Sequence, residues 1–122
     1  MKKVYLDNAA TTPMHPEVIQ EMTRVIQEDY GNPSSTHGFG RQAKSILELS
    51  RKAIAKSINA LSQEIIFTSG GTESNNWVLR NAVTTLKIER IISSKIEHHA
   101  VLHTLEALQS EFKIAVDFVA IL

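Results

Sequence analysis

Apolar and polar positions along the chain predict two helices in its first half. The first helix is predicted from Pro16 to about Tyr30, because proline suits the first helical position and an apolar stripe follows it. That stripe consists of Val18, Met22, Val25 and Ile26. A longer stripe predicts a second helix from about Gly40 to Asn59, with charged residues on its other faces. Between the two helices, residues 31–38 are rich in turn formers and predict a loop.

The second half of the chain alternates between short apolar runs and helical stripes. The predicted order is a strand at 64–69, a helix at 73–85, a strand at 90–94, a helix at 98–110 and a strand at 113–119. An apolar segment at 4–6 is a further short strand candidate. Helices between strands with short connections predict an α/β fold, βαβαβ with parallel strands. Ligands of such sheets bind at the carboxyl ends of the strands, so the loops 69–72 and 93–98 should converge there.

Composition limits the classes of function. The 122 residues are 43% hydrophobic, which indicates an ordered globular chain. Thirteen basic residues balance 13 acidic ones, so there is no basic surface that predicts direct binding of nucleic acid. No apolar run approaches the roughly 20 residues of a membrane span, and a cytoplasmic protein is the expectation. The absence of cysteine excludes disulfides and a thiol nucleophile within these residues.

The glycine turn after the strand predicted at 64–69 is the first candidate site. Gly70 and Gly71 lead into a helix, whose first N–H groups and partial positive charge favour an anion such as phosphate. A purely structural alternative is that the glycines only accommodate positive φ. Thr72 likewise has two interpretations: its hydroxyl caps the helix, or it donates to a phosphate oxygen beside the N–H groups of Gly71 and Thr72. The spacing matches neither the dinucleotide fingerprint nor the phosphate loop of nucleotide-binding proteins.

Three histidines follow the strand predicted at 90–94. His99 and His103 are four residues apart on a predicted helix, the spacing of two zinc ligands, but no third ligand is evident and the prediction is no metal site. His98 lies where a loop meets the start of that helix. Its imidazole is suited to stacking on a flat ring and to proton transfer. The alternative is a partly buried histidine whose hydrogen bonds are satisfied by the backbone.

Four motifs together resemble one family of enzymes. The segments are Tyr5–Pro13, Gly31–Ser35 with His37 and Gly40, Phe67–Asn76, and Ile96–Leu102. In their order and spacing they are similar to the cysteine desulfurases, which belong to the class V aminotransferase family of pyridoxal phosphate (PLP) enzymes. The similarity extends over nearly the whole chain, and the first and last motifs resemble the desulfurases more closely than relatives such as selenocysteine lyase and kynureninase.

The resemblance implies a fold, a cofactor and a reaction. The fold would be the N-terminal part of a PLP-dependent transferase fold of the aspartate aminotransferase type, usually a homodimer. Residues 1–15 would join the small domain, and 16–122 would begin the large PLP-binding domain. Gly71 and Thr72 would hold the PLP phosphate, and His98 would stack on its ring as a catalytic residue. Such an enzyme takes sulfur from L-cysteine, giving alanine and an enzyme persulfide, for transfer to an acceptor protein in iron-sulfur cluster assembly or tRNA thiolation.

The chain also departs from the family's pattern. It has no lysine in a Ser-x-His-Lys motif and no cysteine, and the family's later aspartate is missing as well. The chain should therefore correspond to the first third of a family member and be inactive alone, with the remainder of the enzyme or a companion chain supplying the lysine and cysteine. The alternative is a catalytically incomplete module that binds PLP, phosphate or a partner.

Overall fold

The computed structural model describes residues 3–121, so residues 1, 2 and 122, at the ends of the two predicted domains, lie outside it. The helices are α1 (Pro16–Glu28), α2 (Gly38–Ser57), α3 (Gly71–Thr84) and α4 (His99–Phe112). The strands are β1 (Arg90–Ser94) and β2 (Ala115–Val119), and a short 3-10 turn spans Ser62–Glu64. The chain divides into two compact units, Met1–Ile65 and Ile66–Leu122. Among the described residues, no helix is both long and apolar enough to cross a membrane.

In the first unit, a buried carboxylate joins the end of α1 to α2. The Asp29 side chain is only 1% exposed and forms an ion pair with Arg24, whose Nη1 lies 2.6 Å from Asp29 Oδ2. Gln42 of α2 donates a second hydrogen bond to the same carboxylate. Hydrogen bonds from Arg24 to Glu21 and Asp29 raise the pKa of Arg24 above its ordinary value, so the guanidinium stays charged.

Two close backbone approaches fix the loop between α1 and α2. A Cβ added to Gly31 would lie 2.4 Å from the carbonyl oxygen of Phe39, and one added to Gly40 would lie 2.4 Å from that of Ser35. No side chain fits at either position without movement of the backbone. His37 precedes α2 and caps it, because its Nδ1 accepts a hydrogen bond from the Gly40 N–H at 3.4 Å. The predicted loop is thus a tightly constrained segment.

The second unit is a two-stranded parallel sheet packed with α3 and α4. β1 pairs with β2 in the register Arg90 to Ala115 through Ser94 to Val119, and α4 connects them. The core is a cluster of Val83, Leu108 and Ile114, against which Leu79, Ile91 and Val116 pack. Leu105 and Leu108 of α4 are the largest fully buried side chains. This packing holds α3 and α4 side by side.

The structure confirms the α/β class, the four helices and the two later strands, and corrects two strand predictions. Residues 65–68 and 4–6 form no strand, although both segments are apolar. A strand exists only through hydrogen bonds to a neighbouring strand, and β1 and β2 form the only sheet of the described residues. β2 starts at Ala115 instead of 113, because Lys113 ends α4 in the left-handed conformation with φ of 59°.

Candidate functional site

The glycines before α3 leave open space without adopting a left-handed conformation. Gly70 is the N-cap with φ of 165°, which is extended backbone, and no glycine of the described residues adopts the left-handed region. The interpretation that these glycines accommodate positive φ is therefore wrong. A Cβ added to Gly70 or to Gly71 would meet nothing within 4 Å. Their lack of side chains instead keeps the approach to the first turn of α3 clear.

Polar side chains around this turn hold its shape. The Glu73 carboxylate accepts hydrogen bonds from the Ser69 N–H at 2.6 Å and from the Ser69 hydroxyl at 2.8 Å. These two bonds lower the pKa of Glu73 below its ordinary value, because they stabilise the charged form. The hydroxyls of Thr68 and Ser74 lie 2.7 Å apart, and the Ser74 N–H donates to the Gly70 carbonyl oxygen. Side chains thus bind the two ends of the turn to each other.

Donor groups at the start of α3 remain available for a ligand. Within residues 3–121, the N–H groups of Gly71 and Thr72 make no hydrogen bond, as expected of a first helical turn. The Thr72 hydroxyl also makes none there, and the helix has no side-chain cap. The interpretation of Thr72 as the helix cap is therefore wrong, since Gly70 occupies that position. An anion placed here would meet three donors and the positive end of the helix dipole.

His98 is exposed and is the N-cap of α4. Its Nδ1 accepts a hydrogen bond from the Ala100 N–H at 3.1 Å, which holds the ring against the first turn of the helix. Because Nδ1 is the acceptor, the proton of the imidazole lies on Nε2, which makes no hydrogen bond within residues 3–121. The backbone does satisfy one nitrogen of His98, as one interpretation expects, but the ring is not buried.

A cleft of about 380 Å³ between α3 and α4 brings together two of the three predicted contacts, Thr72 and His98. Its lining combines hydroxyl, amide, guanidinium and imidazole groups from both helices: Thr72, Asn76, Arg80, His98, His99, Ala100, His103, Thr104 and Ala107. Gly71 is not in the lining, although it directly precedes Thr72. A second cavity, of about 520 Å³, is lined mainly by apolar side chains and contains neither Thr72 nor His98. The polar cleft is therefore the candidate site.

The histidines of this cleft stand close together. The ring centroids of His99 and His103 are 5.3 Å apart, and those of His98 and His99 are 6.1 Å apart. In the part of the chain that the structure describes, no group of three or more His, Cys, Asp or Glu residues is arranged to hold a metal ion.

Three residues of the cleft were not predicted from the sequence. Arg80 reaches it from α3 and forms an exposed ion pair with Glu111, at 3.3 Å. Asn76 and Thr104 join α3 to α4 through a hydrogen bond of 2.8 Å. The sequence does place each of these polar residues on a helix face that packs against another helix. Periodicity identifies such a position, but it does not show which side chain the residue contacts.

Comparison with known proteins finds relatives that match nearly the whole chain. The family model described as Aminotransferase class-V matches residues 4–122. A cysteine desulfurase IscS from Dictyoglomus turgidum is 52% identical over 115 residues, which cover 90% of this chain and 29% of that protein. Selenocysteine lyase from Homo sapiens is 41% identical over 139 residues, covering 98% of this chain and 31% of the lyase.

Solved structures agree with this similarity. A NifS-like protein superposes with a TM-score of 0.90 at 40% identity, covering 98% of this chain and 33% of its own. A structure described as SspA in complex with cysteine has a TM-score of 0.82 at 31% identity, covering 91% of this chain and 32% of its own. The chain thus spans about a third or less of the length of the proteins it matches, as the resemblance predicts.

Proposed function

Because the chain belongs to the class V aminotransferase family, we propose that it is the N-terminal part of a PLP-dependent cysteine desulfurase. The complete enzyme takes sulfur from L-cysteine, releases alanine and passes the sulfur to an acceptor protein. Iron-sulfur cluster assembly and tRNA thiolation are the two destinations. We place the enzyme in the cytoplasm as a homodimer, with residues 1–15 in the small domain and 16–122 in the large one.

The unpartnered donors at the start of α3 are the observation that carries this proposal. The N–H groups of Gly71 and Thr72 and the Thr72 hydroxyl fit a phosphate dianion, and no Cβ obstructs its approach. They fit PLP because His98, whose flat ring is suited to stacking on a pyridine, lines the same cleft as Thr72. Gly71 and Thr72 would hold the phosphate, and His98 would contact the ring. When bound, PLP supplies the ring system that takes up negative charge from the substrate.

His98 has a second role in the proposal, as a proton carrier. The Ala100 N–H occupies Nδ1, so any proton exchanged with a substrate passes through Nε2. The same bond fixes the orientation of the ring and thereby the direction in which Nε2 points. A histidine held in this way is suited both to stacking and to moving a proton at one defined atom.

Groups outside these residues complete the reaction. The 122 residues contain no cysteine, so the thiolate that accepts sulfur comes from elsewhere in the enzyme or from a companion chain. None of their lysines lies in the family's Ser-x-His-Lys motif. We therefore expect residues 1–122 alone to produce no sulfide. The alternative, a binding module without turnover, shares this expectation and differs in predicting that no complementary lysine and cysteine exist.

Selenocysteine lyase is a second candidate, favoured by the 41% identity over nearly the whole chain. The two activities differ in substrate, L-cysteine against L-selenocysteine, and both release alanine. The experiment is to purify the complete polypeptide that carries these residues, record its PLP absorbance and measure alanine from each substrate. Desulfurase activity predicts turnover of L-cysteine with sulfur recovered on a protein thiol. Turnover of L-selenocysteine alone would favour the lyase, and bound PLP with turnover of neither would favour the binding module.

A further inference from the structure

A series of hydrogen bonds connects α3 to α4 between the proposed phosphate contact, Thr72, and the proposed ring contact, His98. Asn76 Nδ2 donates to the carbonyl oxygen of Thr72 at 2.9 Å. The Thr104 hydroxyl lies 2.8 Å from Asn76 Oδ1 and 2.8 Å from the carbonyl oxygen of Ala100, so its single proton is shared between these two acceptors. Thr104 is 4% exposed, so the contacts of its hydroxyl are partly shielded from water, whereas the bond from Asn76 to Thr72 is exposed.

Each end of this series of hydrogen bonds lies next to one of the proposed contacts. One end is the bond to the Thr72 carbonyl oxygen, and the other is the shared contact of the Thr104 hydroxyl with the Ala100 carbonyl oxygen, whose residue also donates its N–H to the His98 ring. The orientation of the Asn76 amide is fixed as well, because a flipped amide would place Oδ1 against the Thr72 carbonyl oxygen. The connection is directional, unlike the apolar packing of Leu105 and Leu108 nearby.

We propose that Asn76 and Thr104 are positioning residues that set the spacing between the phosphate contact at Thr72 and the ring contact at His98. The inference rests on the proposed function, since it takes PLP as the ligand. Apolar side chains of similar volume would also hold the two helices together, but they would not fix the position of one helix along the other as a hydrogen bond does. A polar contact between the half-buried Asn76 and the buried Thr104 restricts how α3 and α4 slide past each other.

A ligand with two recognised parts is sensitive to this spacing in a way that each part alone is not. Pyridoxine 5′-phosphate must meet the donors of α3 and the His98 ring at once, and its affinity gains from their correct separation. Inorganic phosphate meets only the first contact and pyridoxine only the second. Loosening the Asn76–Thr104 connection should therefore weaken the two-part ligand selectively. Pyridoxine 5′-phosphate also has no aldehyde, so a lysine cannot contribute a covalent bond to its affinity.

The experiment uses the complete polypeptide with Thr104→Val, which removes the hydroxyl at nearly constant volume, and Thr104→Ser, which keeps it. The matched control is Thr84→Val in α3, because Thr84 also donates to a carbonyl oxygen four residues earlier but has no bond to α4. Dissociation constants are measured for pyridoxine 5′-phosphate, pyridoxine and inorganic phosphate. Thr104→Val should weaken pyridoxine 5′-phosphate about 3- to 10-fold, as expected for one hydrogen bond, and change the other two less than 2-fold.

Further results separate positioning from general stability. Asn76→Ala should give the same selective loss, and the double variant should lose no more than the stronger single variant, because both remove one connection. Asn76→Ala also carries the test if Thr104→Val does not fold. Equal weakening of all three ligands, or unchanged binding in both variants, would overturn the inference while leaving the proposed function in place. Failure of the unaltered protein to bind either PLP or pyridoxine 5′-phosphate would overturn both.

Discussion

The Glu73 carboxylate accepts both hydrogen bonds that Ser69 donates through its N–H and its hydroxyl, at 2.6 and 2.8 Å. Glu73 belongs to the first turn of α3, where the helix dipole also favours a negative charge. The bonds span the Gly70–Gly71 turn and connect the residue before it to the helix after it. An acidic residue therefore stabilises the shape of a turn whose free donors suit an anion.

This pairing predicts an acid-dependent contribution of Glu73 to stability. The pKa of Glu73 is lowered in the folded protein from its ordinary 4.5, so its contribution is complete above that pH and is lost as the pH falls through the lowered value. We expect Glu73→Gln to lower the urea midpoint near pH 7, with the difference from the unaltered protein shrinking towards pH 3. The pKa values of Glu21 and Asp117 are lowered too, by hydrogen bonds from Arg24 and Arg90. Both ion pairs are present in the variant and in the unaltered protein, so their effect cancels in the difference in stability.

A matched control for this experiment is Glu106→Gln. Glu106 is exposed on α4, and its carboxylate makes no hydrogen bond within residues 3–121. This variant should follow the unaltered protein at every pH. A loss of stability in Glu73→Gln that is constant from pH 7 to pH 3 would contradict the assignment to the ionised carboxylate.

Gly71→Ala should fold normally and retain PLP poorly. The added methyl meets no protein atom within 4 Å, so stability should be unchanged or should rise by about 0.5–1 kcal/mol through the lower entropy of the unfolded chain. It would, however, occupy the space through which the phosphate approaches. The measurement is the PLP dissociation constant together with the thermal midpoint. Gly38→Ala is the control, because Gly38 is also the first residue of a helix with open space around it.

Gly40→Ala should destabilise the first unit. The new Cβ would lie 2.4 Å from the Ser35 carbonyl oxygen and 2.7 Å from that of Asn32, and both are backbone atoms. We expect a loss of about 1–3 kcal/mol, the usual range for overpacking. Urea denaturation compared with Gly38→Ala measures it, since the two glycines are two residues apart and only one is crowded. Equal stability of the two variants would contradict the close approach.

Thr72→Val should weaken PLP binding by about one to two orders of magnitude, because a charge-assisted hydrogen bond to phosphate contributes about 1.5–3 kcal/mol. Folding should change little, since the hydroxyl makes no hydrogen bond within the described part of the chain. Thr72→Ser keeps the hydroxyl and should restore most of the affinity. Unchanged PLP affinity in Thr72→Val would remove Thr72 from the site and leave the N–H groups as the phosphate contacts.

Much of the fold follows from local pattern, because the helices and β1 and β2 carry their own periodicity. The strand expected at 64–69 does not form, since an apolar run becomes a strand only where another strand pairs with it. For the site, the glycine turn and His98 were evident from the sequence. The Asn76–Thr104 bond was not, because it joins residues 28 positions apart and no periodicity encodes which polar side chains meet.

The main-chain donors of Gly71 and Thr72 affect how mutation would act on this site. A scan that truncates side chains would detect His98 and the Thr72 hydroxyl, yet it would leave both N–H groups intact. Substitutions around the turn would likewise retain these donors as long as the backbone conformation is unchanged. Replacement of the Gly71 or Thr72 amide by an ester deletes one N–H and no side chain, so it is the chemical change that tests the main-chain donors directly.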